Sequence, residues 1–150
     1  MADGHEGLIN CPCNLYELAK EICLHIDRPK RHCSVILHKG RVVAVGTNQM
    51  KTHPLARKYK YLFDEMHSEL DAFRKCKNKQ GLELWNFRFN RFGQERISRP
   101  CLKCLPWCVE VFDSIYFTTG HGLERLRPLP SSQGGGCFFG GNRQSGLTGR

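Results

Sequence analysis

His67-Ser68-Glu69-Leu70-Asp71-Ala72, followed further along by Pro100-Cys101-Leu102-Lys103-Cys104, is the pair of segments on which the reading of this chain turns. Together they supply three zinc-ligating side chains and one carboxylate left over to move protons. Neither half decides alone, because Cys-x-x-Cys also serves redox sites and zinc ribbons. The order of the halves, with a helix and a strand between them, carries the reading. Met66 to Lys77 has helical periodicity, with Met66, Leu70, Phe73 and Cys76 as its core face. Leu82 to Phe92 alternates as a strand, with Trp85, Phe87 and Phe89 on one face and Asn86, Arg88 and Asn90 on the other.

Working outward, Asn14 and Glu17 form a capping-box-like pair ahead of Leu15, Leu18, Ala19, Ile22 and Ile26 at helical spacing. Ser34 to Leu37 and Arg41 to Val45 are short β-branched runs joined at Lys39-Gly40, which predicts a hairpin closed by Gly46-Thr47-Asn48. Residues 49–65 read as a loop broken by His53-Pro54. Phe92 to Arg99 reads as an intervening hairpin, a helix is expected from about Cys104 to Phe112, and Ser114 to Thr119 is the next strand. Leu123 to Leu126 suggests a helical turn, and no fifth strand is evident. The expected division is an N-terminal arm over residues 1–13, a domain over 14–130 and a Gly/Ser-rich disordered tail over 131–150. Alternating strands and helices imply an α/β fold, a three-layer α/β/α sandwich around a mixed central sheet.

Cys101 and Cys104 are three apart, close enough at a helix start to grip one metal ion, and a helix N-terminus favours thiolates. Pro106 offers a second placement, with the regular helix beginning there and both cysteines in the preceding turn. Cys108, one turn beyond Cys104, is an alternative ligand. His67, Cys101 and Cys104 leave one zinc position open for water, as catalytic sites do. Zinc lowers the pKa of that water toward neutrality, and Glu69 would accept its proton and pass it on. The plainer alternative is a structural zinc site with Glu69 as an ordinary exposed helix residue.

Nine cysteines in 150 residues, with no secretory or membrane-spanning apolar run, read as thiols in an intracellular, cytoplasmic protein. Cys23, Cys33 and Cys76 fall in apolar patterns and read as core; Cys11 and Cys13, with His5 nearby, read as ordinary thiols or a second metal site. The net charge of +9 points to polyanionic or phosphate-bearing partners, or to a solvated cationic face, and the lack of a membrane-spanning apolar run predicts no membrane partner. Lys51, Arg57, Lys58 and Lys60 interleave with Tyr59, Tyr61 and Phe63, a composition suited to phosphate contact and base stacking.

With these residues in place, the chain resembles the cytidine and deoxycytidylate deaminase superfamily over roughly residues 14–120. His67, Glu69, Pro100, Cys101 and Cys104 match its motifs, with Ser68 where Ala is usual and Asn48 as a looser match. The resemblance implies a cytidine-deaminase-like fold, a Zn2+ cofactor, self-association, and hydrolytic deamination by a zinc-bound hydroxide with Glu69 as proton shuttle. It further implies that Asn48 bonds the substrate's sugar, although Asn48 reads equally as a turn residue. Residues expected to face substrate are Asn48, Pro100, Arg57, Lys58 and Tyr59. The leading substrate is a cytosine nucleotide of deoxycytidylate type. Single-stranded DNA or RNA, with cytosine or adenine as target, is the second reading, and a non-enzymatic zinc module the third.

Overall fold

The computed structural model describes residues 12, 14–50, 53–59 and 66–126. The chain runs α1 (Leu15–Leu24), β1 (His32–His38), β2 (Arg41–Thr47), α2 (Pro54–Lys58), α3 (Ser68–Arg74), β3 (Leu82–Arg88), α4 (Leu105–Val111), β4 (Ser114–Thr118) and β5 (Leu123–Arg125). The strands form one mixed sheet in the order β2-β1-β3-β4-β5, antiparallel except for the β3–β4 pair. That parallel pair requires a crossover, and α4 with its leading turn supplies it. The second metal-ligating segment therefore leaves the carboxyl end of the central strand.

The β1–β2 hairpin turns at Lys39 (φ 52°) and Gly40 (φ 80°), where two successive left-handed residues match the twist of the strands. Alternation along β1 and β3 then sends side chains into two cores. Val35, Leu37, Trp85, Phe87 and Phe89 pack with Leu15, Ala19 and Cys23 of α1. Ile36, Leu82 and Leu84 pack on the opposite face with residues of α2, α3 and α4. Trp85 and Phe87 of β3 and Phe89 just beyond it share a face as their spacing predicts, and Cys23, Cys33 and Cys76 are all buried.

Several expectations need correction. The capping box does not form: Asn14 sits at φ 59° and makes no side-chain cap bond. Leu18 is 43% exposed, because the buried stripe of α1 runs through Leu15, Ala19 and Cys23. His53-Pro54 starts α2 instead of breaking the chain. His53 Nδ1 accepts the Leu55 N–H at 3.1 Å, and Pro54 occupies the first turn, where its missing N–H costs nothing. Leu123–Arg125 is the fifth strand, antiparallel to β4, and not a helical turn. The arm (apart from Pro12), the tail, His5, Cys11, Cys13, Lys51, Lys60, Tyr61 and Phe63 lie outside the described residues. Among the described residues no helix is long and apolar enough to cross a membrane.

Helix α3 is buried nearly all round, Ser68 through Phe73. It lies so close on β2 that a Cβ at Gly46 would stand 2.3 Å from the Ala72 amide nitrogen and 2.5 Å from the Ser68 carbonyl oxygen. Those are backbone atoms and cannot swing aside. Gly46→Ala should therefore destabilise the domain by about 3 kcal/mol or more, read as a lower denaturant midpoint at unchanged slope.

Asp71 ties the same helix to the strand end. Its carboxylate accepts the Thr47 N–H (3.0 Å), the Gln49 amide (2.9 Å) and the Arg74 guanidinium (2.8 Å), with Lys75 at 3.3 Å. Burial pushes the acid up, but the Thr47 N–H and the two cations outweigh it and hold it below the usual 3.8. A carboxyl depressed in the folded state contributes stability above its unfolded value and loses it as pH falls through the folded one. Asp71→Asn should cost about 2 kcal/mol at neutral pH. That deficit should shrink below pH 3.8, as paired melts at neutral and acid pH would record.

Candidate metal centre

The two ligand segments arrive from opposite directions at the end of the central strands. His67 occupies the extended position just before α3, and Met66 pairs with Gln49 beyond β2 to fix the approach. Cys101 and Cys104 sit in the turn before α4, whose regular helix begins at Leu105. Of the two placements the sequence allowed, the one set by Pro106 holds. The Cys101 carbonyl accepts the Leu105 N–H at 2.8 Å, so the turn is wound tightly enough to bring both sulfurs to one side.

His67 Nδ1 lies 3.5 Å from Cys101 Sγ and 3.4 Å from Cys104 Sγ, and all three ligand atoms fall within 4.8 Å of one another. A tetrahedral ion with metal–sulfur bonds near 2.3 Å and metal–nitrogen bonds near 2.0–2.1 Å sets nitrogen and sulfur about 3.5 Å apart. The group therefore fits a metal ion through Nδ1 without rearrangement. Cys108 is buried in α4 and lies outside the group.

A hydrogen bond couples the two sulfurs. A hydrogen bond from Cys104, joined by one from His67, pulls Cys101 down to about 3 against the effect of burial. Cys104 keeps the proton and is pushed up for the same reason. A divalent cation would displace it and hold two thiolates.

Glu69, on the first turn of α3, is nine-tenths buried and outside the ligand triad. It is not the exposed helix residue of the plainer alternative. Burial raises its pKa, opposed by its own backbone N–H, by His67 and by a hydrogen bond from Asn86. The acid shares a pocket of about 390 Å³ with His67, Cys101, Asn48 and Gln49, so it meets whatever enters beside the ligands.

Asn48 lines this pocket, but its amide is engaged: Oδ1 accepts the His32 N–H at 3.0 Å and Nδ2 donates to the Lys30 carbonyl at 3.0 Å. The turn role is thus filled, with the residue still in the pocket wall. Pro100 is buried beside the ligand turn. Arg57, Lys58 and Tyr59 do not join the pocket. Tyr59 stacks on Trp107 at 5.0 Å, Lys58 Nζ lies 5.5 Å from the Tyr59 ring, and Arg57 is exposed on α2.

Instead the pocket's cations are Arg28, Lys30, Arg88 and Arg99. None of the four forms an ion pair among the described residues. His32 also lines the pocket. Burial first, then Arg88, His67 and Lys30, pull it down to about 4, so it is neutral at pH 7. These residues follow no motif; the one hint was the density of Arg and Lys at 28–31 and 88–99. Compared with known proteins, the chain matches no family model and no curated protein sequence.

Proposed function

We propose that the protein is a zinc-dependent hydrolytic deaminase acting on a cytosine-containing nucleotide of deoxycytidylate type. The observation that carries this reading is a His67–Cys101–Cys104 triad of metal-binding geometry with the buried, unligated carboxyl of Glu69 in the same pocket. Helices on both faces of the mixed sheet agree with the cytidine-deaminase-like sandwich that the motifs imply. A zinc ion, when bound, supplies a Lewis acid that activates water at its open position. Glu69 carries one proton of the attacking water to the ring nitrogen and then the second, from the hydroxyl so formed, to the departing amine. Water and the amidine thereby become a carbonyl and ammonia. A buried carboxyl with a raised pKa suits that exchange, because it holds a proton near neutral pH more readily than a solvated one.

The four pocket cations, without an ion pair among the described residues, favour a substrate carrying phosphate, which guanidinium and ammonium groups bind by charge-assisted hydrogen bonds. The basic aromatic segment that suggested a polymer substrate supports it less, because Tyr59 spends a ring face on Trp107.

Zinc-loaded protein should be offered cytidine, cytidylate, deoxycytidylate, single-stranded DNA and transfer RNA, with amine loss followed by mass. Deoxycytidylate should turn over, with cytidine much poorer. No amine loss from any member would overturn the reading, and turnover of single-stranded DNA without deoxycytidylate would move it to polymers. Arg88→Gln combined with Arg99→Gln should raise KM for deoxycytidylate about tenfold or more while leaving that for cytidine nearly unchanged.

A further inference from the structure

Asn86 lies at the middle of the sheet, on β3 between β1 and β4, and is 2% exposed. Its backbone neighbours Trp85 and Phe87 point into the α1 core, so Asn86 points the other way, toward the ligand segments. A polar amide at such a depth is retained only if all its hydrogen-bonding groups are used. Here they are. Nδ2 donates to Glu69 Oε2 at 2.9 Å and to the Ser98 carbonyl at 3.2 Å, and Oδ1 accepts the Ser34 hydroxyl at 2.6 Å.

This set of partners permits one orientation of the amide. The Ser98 carbonyl accepts only, and so does the Glu69 carboxylate when ionised, so turning Oδ1 toward them would place acceptor against acceptor. The Ser34 hydroxyl reinforces the choice from the other side, and its oxygen lies 2.8 Å from the Ser68 hydroxyl, next to Glu69 in the chain. The second carboxylate oxygen, Oε1, is 3.5 Å from the Ser68 hydroxyl, at the long limit of such a contact.

We propose that Asn86 is a positioning residue that, locked by Ser34 and the Ser98 carbonyl, holds one oxygen of Glu69 so that the other exchanges protons with water and substrate. This rests on the deaminase reading of the pocket. The carboxylate needs one rotamer with one oxygen presented, because proton transfer falls off steeply with misalignment. Asn86 supplies that without touching metal or substrate itself.

The ligand segment does not depend on the Asn86 side chain for its place. Ser98 is bound through its N–H to the Thr118 carbonyl (2.8 Å) and through its hydroxyl to the Asn86 main-chain carbonyl (2.8 Å). Loss of the amide should therefore disturb Glu69 while sparing the metal.

The test is Asn86→Asp, nearly isosteric, which replaces the donor facing Glu69 by an acceptor. Expected results are zinc content and a cobalt-substituted absorption spectrum like the parent's, KM within about twofold, and kcat lower by at least tenfold, within the range of effects for a proton-transfer group. A double-mutant cycle reads the contact without turnover. Glu69→Gln in the Asn86→Asp background restores a donor between the two side chains, so the double variant should melt above Asn86→Asp alone. Should Asn86→Asp fail to fold, Ser34→Ala carries the same test more mildly, with kcat several-fold down at parent zinc content and KM.

Parent-like kcat in the folded Asn86→Asp variant, or in Ser34→Ala if that variant is the one tested, overturns the proposal. So does a cycle in which the two changes simply add. If the parent turns over no nucleotide but the cycle shows coupling, the Asn86–Glu69 contact stands and the deaminase reading is what fails.

Discussion

Glu69→Gln should retain fold and metal and lose about two to four powers of ten in turnover, the scale of general acid–base catalysis by a positioned side chain. Gln has nearly the shape of Glu, and its carbonyl can still accept from Asn86 Nδ2, now 2.9 Å from the carboxylate. What it cannot do is take a proton from water and give it back. Stability should move the other way in metal-free protein. A carboxyl whose folded pKa lies above its unfolded one costs stability once pH rises past the unfolded value, and burial raises Glu69 in this manner. The variant should thus melt no lower than the parent at pH 7, with any advantage fading as both pass below the ordinary carboxyl range. Turnover assays on protein of measured zinc content, beside paired melts, decide the matter. Retention of most of the parental rate would remove Glu69 from the chemistry and the proposed reaction with it.

Cys104→Ala should lose the bound metal, and Cys108→Ala should keep it. Both thiols are buried, so the contrast separates ligation from packing. Only Cys104 belongs to the group with His67 and Cys101. A metal that binds the folded chain a thousandfold below its free concentration adds about 4 kcal/mol to stability, so chelator should lower the parent's melting temperature and leave Cys104→Ala unmoved. Because Cys104 holds a proton that the ion must displace, apparent affinity should also climb with pH. Metal analysis of the two variants, with melts in zinc and in chelator, checks each part. Full zinc in Cys104→Ala with none in Cys108→Ala would hand the ligand role to Cys108.

Local periodicity carried much of the fold. The hairpin at Lys39-Gly40, the shared face of Trp85, Phe87 and Phe89, and the core side of α3 are all visible in residue spacing, because each depends on neighbours two to four positions away. The short elements escaped for lack of length. Five residues in α2 and three in β5 give no periodic signal, and β5 is a strand only because β4 is there to pair with. Leu18 looked like core by spacing, yet the angle at which α1 meets the sheet chose Ala19 and Cys23 instead.

The sequence by itself determined the chemistry of the metal group: one imidazole, two thiols three apart, and a carboxylate two residues from the histidine. Ligand type is a property of the side chain, and so is legible without a fold. Tertiary structure decided which residues stand behind Glu69. Ser34 and Asn86 are 52 positions apart, and Glu69 and Asn86 are 17 apart, so no local pattern joins them. Helices on both faces were expected from the sequence, but not that β3 is the middle strand of the sheet, which is what turns Asn86 from a surface polar residue into a buried donor. The same holds for Gly46, an ordinary strand glycine until α3 settles within 2.3 Å of where its side chain would be. Burial and hydrogen bonding act between groups that are close in space, and which groups those are is settled by how the layers pack.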